Sequence, residues 1–316
     1  MRILVTGGAG FIGSNLVAAL LKDKRVDFVR VLDNLATGSL KNLAEFKQDE
    51  RFEFFEGDIR SYETCLKACD GIDLVSHQAA LGSVPRSIND PLTTNEVNIT
   101  GTLNIFTAAK ERQIKRVVYA ASSSTYGDHP GLPKIEDKIG KPLSPYAVTK
   151  YVNELYAQVY ASLYGTEFIG LRYFNIFGPK QNPAGPYAAV IPLFAEAIIN
   201  DKAPTINGDG LHSRDFTYVD NAVQANILSL FVENSVAVNE VYNIACGHQT
   251  SLNELFNGLK KEAGSSLQPV YGPERKGDVK HSLADISKAG LLLGYKPVVS
   301  VEEGLKKTFQ WYSKER

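Results

Sequence analysis

Apolar residues recur through the first half of the chain in short runs separated by amphipathic stretches. The runs Ile3–Val5, Phe28–Leu32, Phe52–Glu56, Ile72–Val75, Arg116–Ala120 and Phe168–Tyr173 read as strands. Helical spacing fills the gaps, with Leu16, Val17, Leu20 and Leu21 in the first and a longer pattern from Asn95 to Arg112. Strand and helix in alternation predict an α/β fold whose doubly wound parallel sheet is covered on both faces.

Pro145–Tyr164 predicts a long helix. Ser144 suits its N-cap, Pro145 its first turn, and Gly165 a left-handed stop. Beyond Tyr173 the alternation breaks, and the Gly-, Pro- and Asn-rich stretch Asn175–Pro186 predicts loop. The remainder mixes short strands with helices and ends on a helical pattern from Val301 to Tyr312. The expected division is a first domain over 1–175 and a smaller, mixed α/β substrate domain over 176–316, whose segments can return to the first sheet.

The 316 residues suffice for both units. With 34 basic against 35 acidic residues and a net charge of -1, the chain lacks the basic excess of a nucleic-acid or membrane-surface binder. No apolar run approaches the ~18 residues of a membrane span, and no signal-peptide pattern is present, so a cytoplasmic protein is expected. Cys65, Cys69 and Cys246 suit a reducing compartment. No His or second Cys pair completes a ligand set, so they read as small buried side chains and no metal is expected.

The segment Thr6-Gly7-Gly8-Ala9-Gly10-Phe11-Ile12-Gly13 follows a strand and opens a helix. Gly7, Gly10 and Gly13 permit a tight turn, close approach to a pyrophosphate and close helix–strand packing, the pattern of a Rossmann-type dinucleotide site. The helix start at Phe11 and Ile12 supplies unpaired N–H groups for the phosphates. Asp33, followed by Asn34, ends the second apolar run, where a carboxylate accepts from a ribose diol and repels a 2′-phosphate; NAD is therefore expected rather than NADP. Asp58 and Ile59 follow the third run, and Gln78, Ala79 and Ala80 follow the fourth, at strand ends where such sheets place ligands.

Tyr146 and Lys150 share one face of the predicted long helix. An ammonium beside a phenol stabilises the phenolate, lowering its pKa from about 10. The spacing alone is weak, since a packing aromatic beside a solvated lysine has the same pattern. The run Ser122-Ser123-Ser124-Thr125-Tyr126 at the end of the fifth strand adds a hydroxyl donor near the same point.

These residues resemble the extended short-chain dehydrogenase/reductase family. Arg172-Tyr173-Phe174-Asn175, Asn207-Gly208-Asp209-Gly210 with Arg214-Asp215, and Arg275-Lys276-Gly277-Asp278 resemble its nucleotide-sugar 4-epimerases, and Gln78–Ser87 with the serine run resembles the subset acting on UDP-N-acetylhexosamines. The resemblance implies Tyr146 as the base that removes the sugar 4-hydroxyl proton, Ser122 as a hydrogen-bonding partner of that same oxygen, and Lys150 as the group that tunes the tyrosine and holds the nicotinamide ribose. It implies a cofactor contact for Tyr173, and substrate contacts for Gly82, Ser83, Ser123, Ser124, Asn175, Ala189, Val190, Arg214, Arg275, Asp278 and Ser282. Ser282 stands where epimerases restricted to plain hexoses carry a tyrosine, leaving volume for a 2-acetamido group. Related lyases carry a glutamate where this chain has Ser124, which lowers the dehydratase or decarboxylase alternative. UDP-uronic acid 4-epimerases remain close neighbours. A non-catalytic NAD-binding regulator would need no tyrosine or lysine here. The resemblance also implies a homodimer formed by the two long helices.

Overall fold

In the computed structural model, which describes residues 1–183, 188–274 and 280–314, seven strands form one wholly parallel sheet. They are β1 (Arg2–Thr6), β2 (Phe28–Asp33), β3 (Phe52–Glu56), β4 (Leu74–His77), β5 (Arg116–Ser122), β6 (Glu167–Tyr173) and β7 (Glu240–Ile244). Their spatial order is β7-β6-β5-β4-β1-β2-β3. The winding reverses between β1 and β4, which opens a crevice beyond the carboxyl ends of these strands.

Both faces are buried because successive side chains point to opposite sides. Ile3, Val5, Val29 and Val31 pack against Leu16, Val17 and Leu20 of the helix Phe11–Leu20 and against Val219 and Val223 of the helix Val219–Phe231. Leu4, Leu32, Val75 and Val117 meet Cys65, Ile105, Phe106 and Ala157 on the other side. Each such burial contributes about 1.5–3 kcal/mol. β4 starts two residues later than its apolar run suggests, because the Asp73 carboxylate accepts the Arg2 N–H at 2.7 Å and the ladder begins at Leu74 opposite Ile3.

The long helix spans Pro145–Tyr164 as expected. Ser144 Oγ accepts the Ala147 N–H, and Gly165 closes the helix at φ 76°. A bidentate ion pair ties it to β6: Arg172 Nε and Nη2 donate to the two Glu154 oxygens at 2.9 and 2.7 Å, with both side chains buried. The expected helix over Asn95–Arg112 is instead interrupted. An α-helix over Pro91–Asn95 widens into a π-turn over Glu96–Thr100 before Gly101–Glu111 resumes the α-helix. Asn98, in that wider turn, accepts the Leu81 N–H at 2.8 Å and donates to Thr149 Oγ1 at 3.2 Å, joining the loop after β4 to the long helix.

The chain returns to the sheet after residue 175. The helix Val219–Phe231 covers one face, and β7 pairs with β6, covering an edge that would otherwise lie open. Short ladders build the remainder: 176–177 with 217–218, 205–207 with 270–272, and 213–214 with 250–251. The first of these falls within the expected loop. Among the described residues no helix is long and apolar enough to cross a membrane.

Candidate active site

The crevice is a cavity of about 1360 Å³ that runs from the glycine turn after β1 to Ser282. At its first end the Phe11–Leu20 helix begins at Gly10 with no side-chain cap, so its leading N–H groups meet no side-chain acceptor. Gly13 admits no larger residue, since an added Cβ would lie 2.2 Å from the Gly7 carbonyl oxygen. Asp33 accepts from the Ala9 N–H at 2.9 Å and the Leu35 N–H at 2.8 Å, one bond to each oxygen. A carboxylate has about four acceptor sites, so capacity remains for a diol. Burial pushes this carboxyl up, and the two N–H bonds oppose the shift. Asn34 donates to Asp58 at 2.9 Å, and Arg60 holds Asp58 down to about 2. These residues fit a dinucleotide, with bare helix N–H groups for phosphates and an acidic strand end for a ribose.

Ile59, Ala79 and Ala80 line the same cavity, as do Gln78 and Tyr173, whose polar atoms are bonded to each other. Tyr173 OH donates to Gln78 Oε1 at 3.0 Å and accepts from Asn226 Nδ2 at 2.7 Å. Asn226 Oδ1 in turn accepts from Gln78 Nε2 at 2.9 Å and Ser76 Oγ at 3.1 Å. Burial pushes the Tyr173 phenol up to about 12. It is a bonded, neutral wall of the cavity. Asn226, on a helix remote in sequence from the glycine motif, gave no signal in the sequence. Beneath this wall, buried His77 accepts from Thr6 Oγ1 at 2.7 Å and donates to Thr102 Oγ1 at 2.9 Å, a tautomer assigned because Thr102 donates its own proton to the Asn98 carbonyl.

Tyr146, Lys150 and Ser122 converge on the middle of the cavity. Ser122 Oγ accepts from the Ser124 N–H at 3.1 Å and the Ser124 hydroxyl at 2.9 Å, which leaves its own proton to point elsewhere. It lies close enough to the Tyr146 phenol to lower its pKa, although burial wins and the phenol stands above its ordinary value. The depression expected from Lys150 is therefore absent in the protein alone. Lys150 Nζ is 6.0 Å from the tyrosine ring centroid and donates to the Ala120 carbonyl at 2.7 Å, and burial brings its own pKa down to about 8.

At the far end lie Gly82, Ser83, Ser123, Ser124, Asn175, Arg214 and Ser282. An added Cβ at Gly82 would meet nothing within 4 Å, so its position is open space. Ser83 is committed to capping the helix Val84–Asn89. A second cavity of about 290 Å³ contains Ala189 and Val190 and shares Asn175 and Arg214 with the first. Asn175 sits at φ 40°, a conformation asparagine tolerates, and donates to the Asp215 carbonyl at 3.1 Å. Arg214 donates to the Lys280 carbonyl at 2.9 Å. Its sequence neighbour Asp215 is fully buried, where it accepts from the N–H groups of Cys246, Gly247 and Ala284, and burial raises it to about 6. Arg275 and Asp278 lie outside the described residues. Lys134, His212 and Phe216 also line these cavities, although no motif in the sequence singled them out.

Residues 3–245 match the family described as the NAD dependent epimerase/dehydratase family. A putative UDP-glucose 4-epimerase of Methanocaldococcus jannaschii is 39% identical, with 98% of this chain and 97% of the relative covered. The structure is similar to that of a UDP-N-acetylglucosamine 4-epimerase from Methanobrevibacter ruminantium in complex with UDP-N-acetylmuramic acid (TM-score 0.94, 40% identity, 100% and 99% of the two chains covered). It is also similar to a UDP-glucuronic acid 4-epimerase from Bacillus cereus in complex with UDP-glucuronic acid and NAD (TM-score 0.92, 33% identity, 100% of each chain covered). With that family matched over residues 3–245 and a relative 39% identical across 98% of the chain, the chain belongs to the NAD dependent epimerase/dehydratase family.

Proposed function

We propose that this chain is an NAD-dependent UDP-sugar 4-epimerase that interconverts UDP-N-acetylglucosamine and UDP-N-acetylgalactosamine. The observation that carries the reading is one cavity joining the Ser122–Tyr146–Lys150 cluster to a far end that is open at Gly82 and lined by Ser282.

Bound NAD would supply the hydride acceptor and donor for carbon 4 of the sugar. Tyr146 takes the proton of the 4-hydroxyl and gives it back on the return. Ser122 points its free proton at the same oxygen. Lys150, fixed at the Ala120 carbonyl, holds the nicotinamide ribose and favours the phenolate. Asn175 and Arg214 hold the UDP, with Ala189 and Val190 at its base. Arg275 and Asp278 complete the grip in this reading. A small Ser282 leaves room for the acetamido group as the 4-keto sugar turns over.

The exposed stripe Leu155, Val159 and Leu163 on the long helix, one turn apart, supports a homodimer, and a monomer by light scattering at working concentration would refute it. The functional reading is tested by a proton NMR time course with UDP-N-acetylglucosamine and no added NAD. UDP-N-acetylgalactosamine should appear and reach a constant ratio. No conversion, with turnover of UDP-glucuronate instead, transfers the assignment to the uronic acid.

A further inference from the structure

We infer that Lys134 recognises the carbonyl oxygen of the substrate's 2-acetamido group; this rests on the proposed acetylated substrate. Lys134 has only 6% of its surface exposed, yet it lines the main cavity. A lysine ammonium carries three donors. Among the described residues its one polar partner is the His129 carbonyl, and no carboxylate lies within ion-pair distance. The carboxyl of Glu136, two residues on, is already engaged, accepting the Asn243 N–H at 2.9 Å. Leaving buried donors of a charged group unfilled is costly, and the acceptor that fills them must come from whatever occupies the cavity. Burial also pushes the Lys134 amine below its ordinary value, with no neighbouring charge to offset the shift.

The backbone shows which part of the substrate that is. The Lys134 N–H donates to the Leu283 carbonyl at 2.7 Å, and its carbonyl accepts from the Asp285 N–H at 2.9 Å, so Lys134 pairs in parallel with Ala284. In extended chain, residues two apart face the same way, which places Ser282, Ala284 and the paired Lys134 on one side of this short ladder. Ser282 and Lys134 both reach the cavity. The residue whose smallness makes room for an acetamido group thus stands beside a buried donor with unfilled capacity. The C4 oxygen is already provided for by Ser122 and Tyr146 at the ends of other elements. A neutral carbonyl oxygen needs a donor and no counter-charge, which suits an amine whose charge burial already disfavours.

The test compares kcat/KM for UDP-N-acetylglucosamine and for UDP-glucose in the NAD-loaded wild type, Lys134→Met and Lys134→Gln. The acetylated-to-plain ratio should fall about 10- to 100-fold in Lys134→Met and recover in part in Lys134→Gln, which keeps a donor. Where thermal melting shows that Lys134→Met does not fold, the ratio in Lys134→Gln alone decides. An unchanged ratio overturns the assignment, as does a selective loss confined to UDP-sugars bearing a C6 carboxylate. A wild type inactive on UDP-N-acetylglucosamine refutes the substrate reading itself, whereas an active wild type with unaltered ratios in the variants refutes only Lys134.

Discussion

The two ends of the crevice are built differently. The dinucleotide end comes from consecutive strand ends of one parallel sheet, and its polar side chains are bonded to one another: Thr6 with His77 and Thr102, and Ser76, Gln78 and Tyr173 with Asn226. The sugar end gathers residues widely separated in sequence, Gly82, Lys134, Asn175, Arg214 and Ser282, and it leaves Lys134 short of acceptors among the described residues. Side chains bonded to one another hold their shape whatever lies against them, and at this end only the backbone N–H groups of the helix start are left for a ligand. A wall with unfilled donors is finished by its ligand. The difference suits a cofactor retained through many turnovers and a sugar that must turn over between two bound poses.

Three changes break or sharpen this contrast. The largest effect is expected where the ends meet. Tyr146→Phe should lower kcat by about 100- to 10,000-fold while leaving the NAD that co-purifies unchanged, as read by acid release and absorbance. Loss of the cofactor along with activity would show that the two ends are not separable. Next, Ser282→Tyr should abolish turnover of the acetylated sugar and spare UDP-glucose, because the ring fills open space at the sugar end only. Equal rates on both sugars, measured by coupled assay, would remove Ser282 from the specificity argument.

The smallest effect is in pH dependence, where the ends titrate with opposite sign. His77 is brought by burial from 6.5 to about 3, so between these values the unfolded chain binds more protons and stability falls as pH drops through 6.5. Asp215 is raised from 3.8 to about 6, so the folded chain binds more protons in that window and stability falls as pH rises through it. Between pH 7 and pH 5, Asp215→Asn should therefore lose more Tm than wild type, and His77→Gln less. Identical shifts in all three proteins would show that neither group governs the acid limb.

Some of this was legible in the chain. The period-two and helical patterns identified six of the seven sheet strands and the long helix with its Ser144 and Gly165 ends, since those features depend on local residues. The glycine turn and the serine–tyrosine–lysine set were legible because each lies on a short segment or a single helix face. The π-turn at Asn98 was not, because it depends on a bond to Leu81 across a loop. Nor was the saturation of Tyr173 by Asn226, nor the burial of Asp215, which depends on N–H groups far along the chain.

The sequence by itself determined the parallel α/β sheet and the dinucleotide turn, and it offered Ser122, Tyr146 and Lys150 as candidates for moving a proton, because periodicity, backbone freedom and side-chain chemistry are properties of neighbours. Only the tertiary structure decided that β7 closes the sheet from beyond residue 175. It also decided that burial outweighs the Ser122 hydroxyl at the Tyr146 phenol, and that Lys134 pairs with Ala284, two residues from Ser282, with donors unfilled among the described residues. Those outcomes depend on desolvation and on contacts between distant segments, which a linear pattern does not carry.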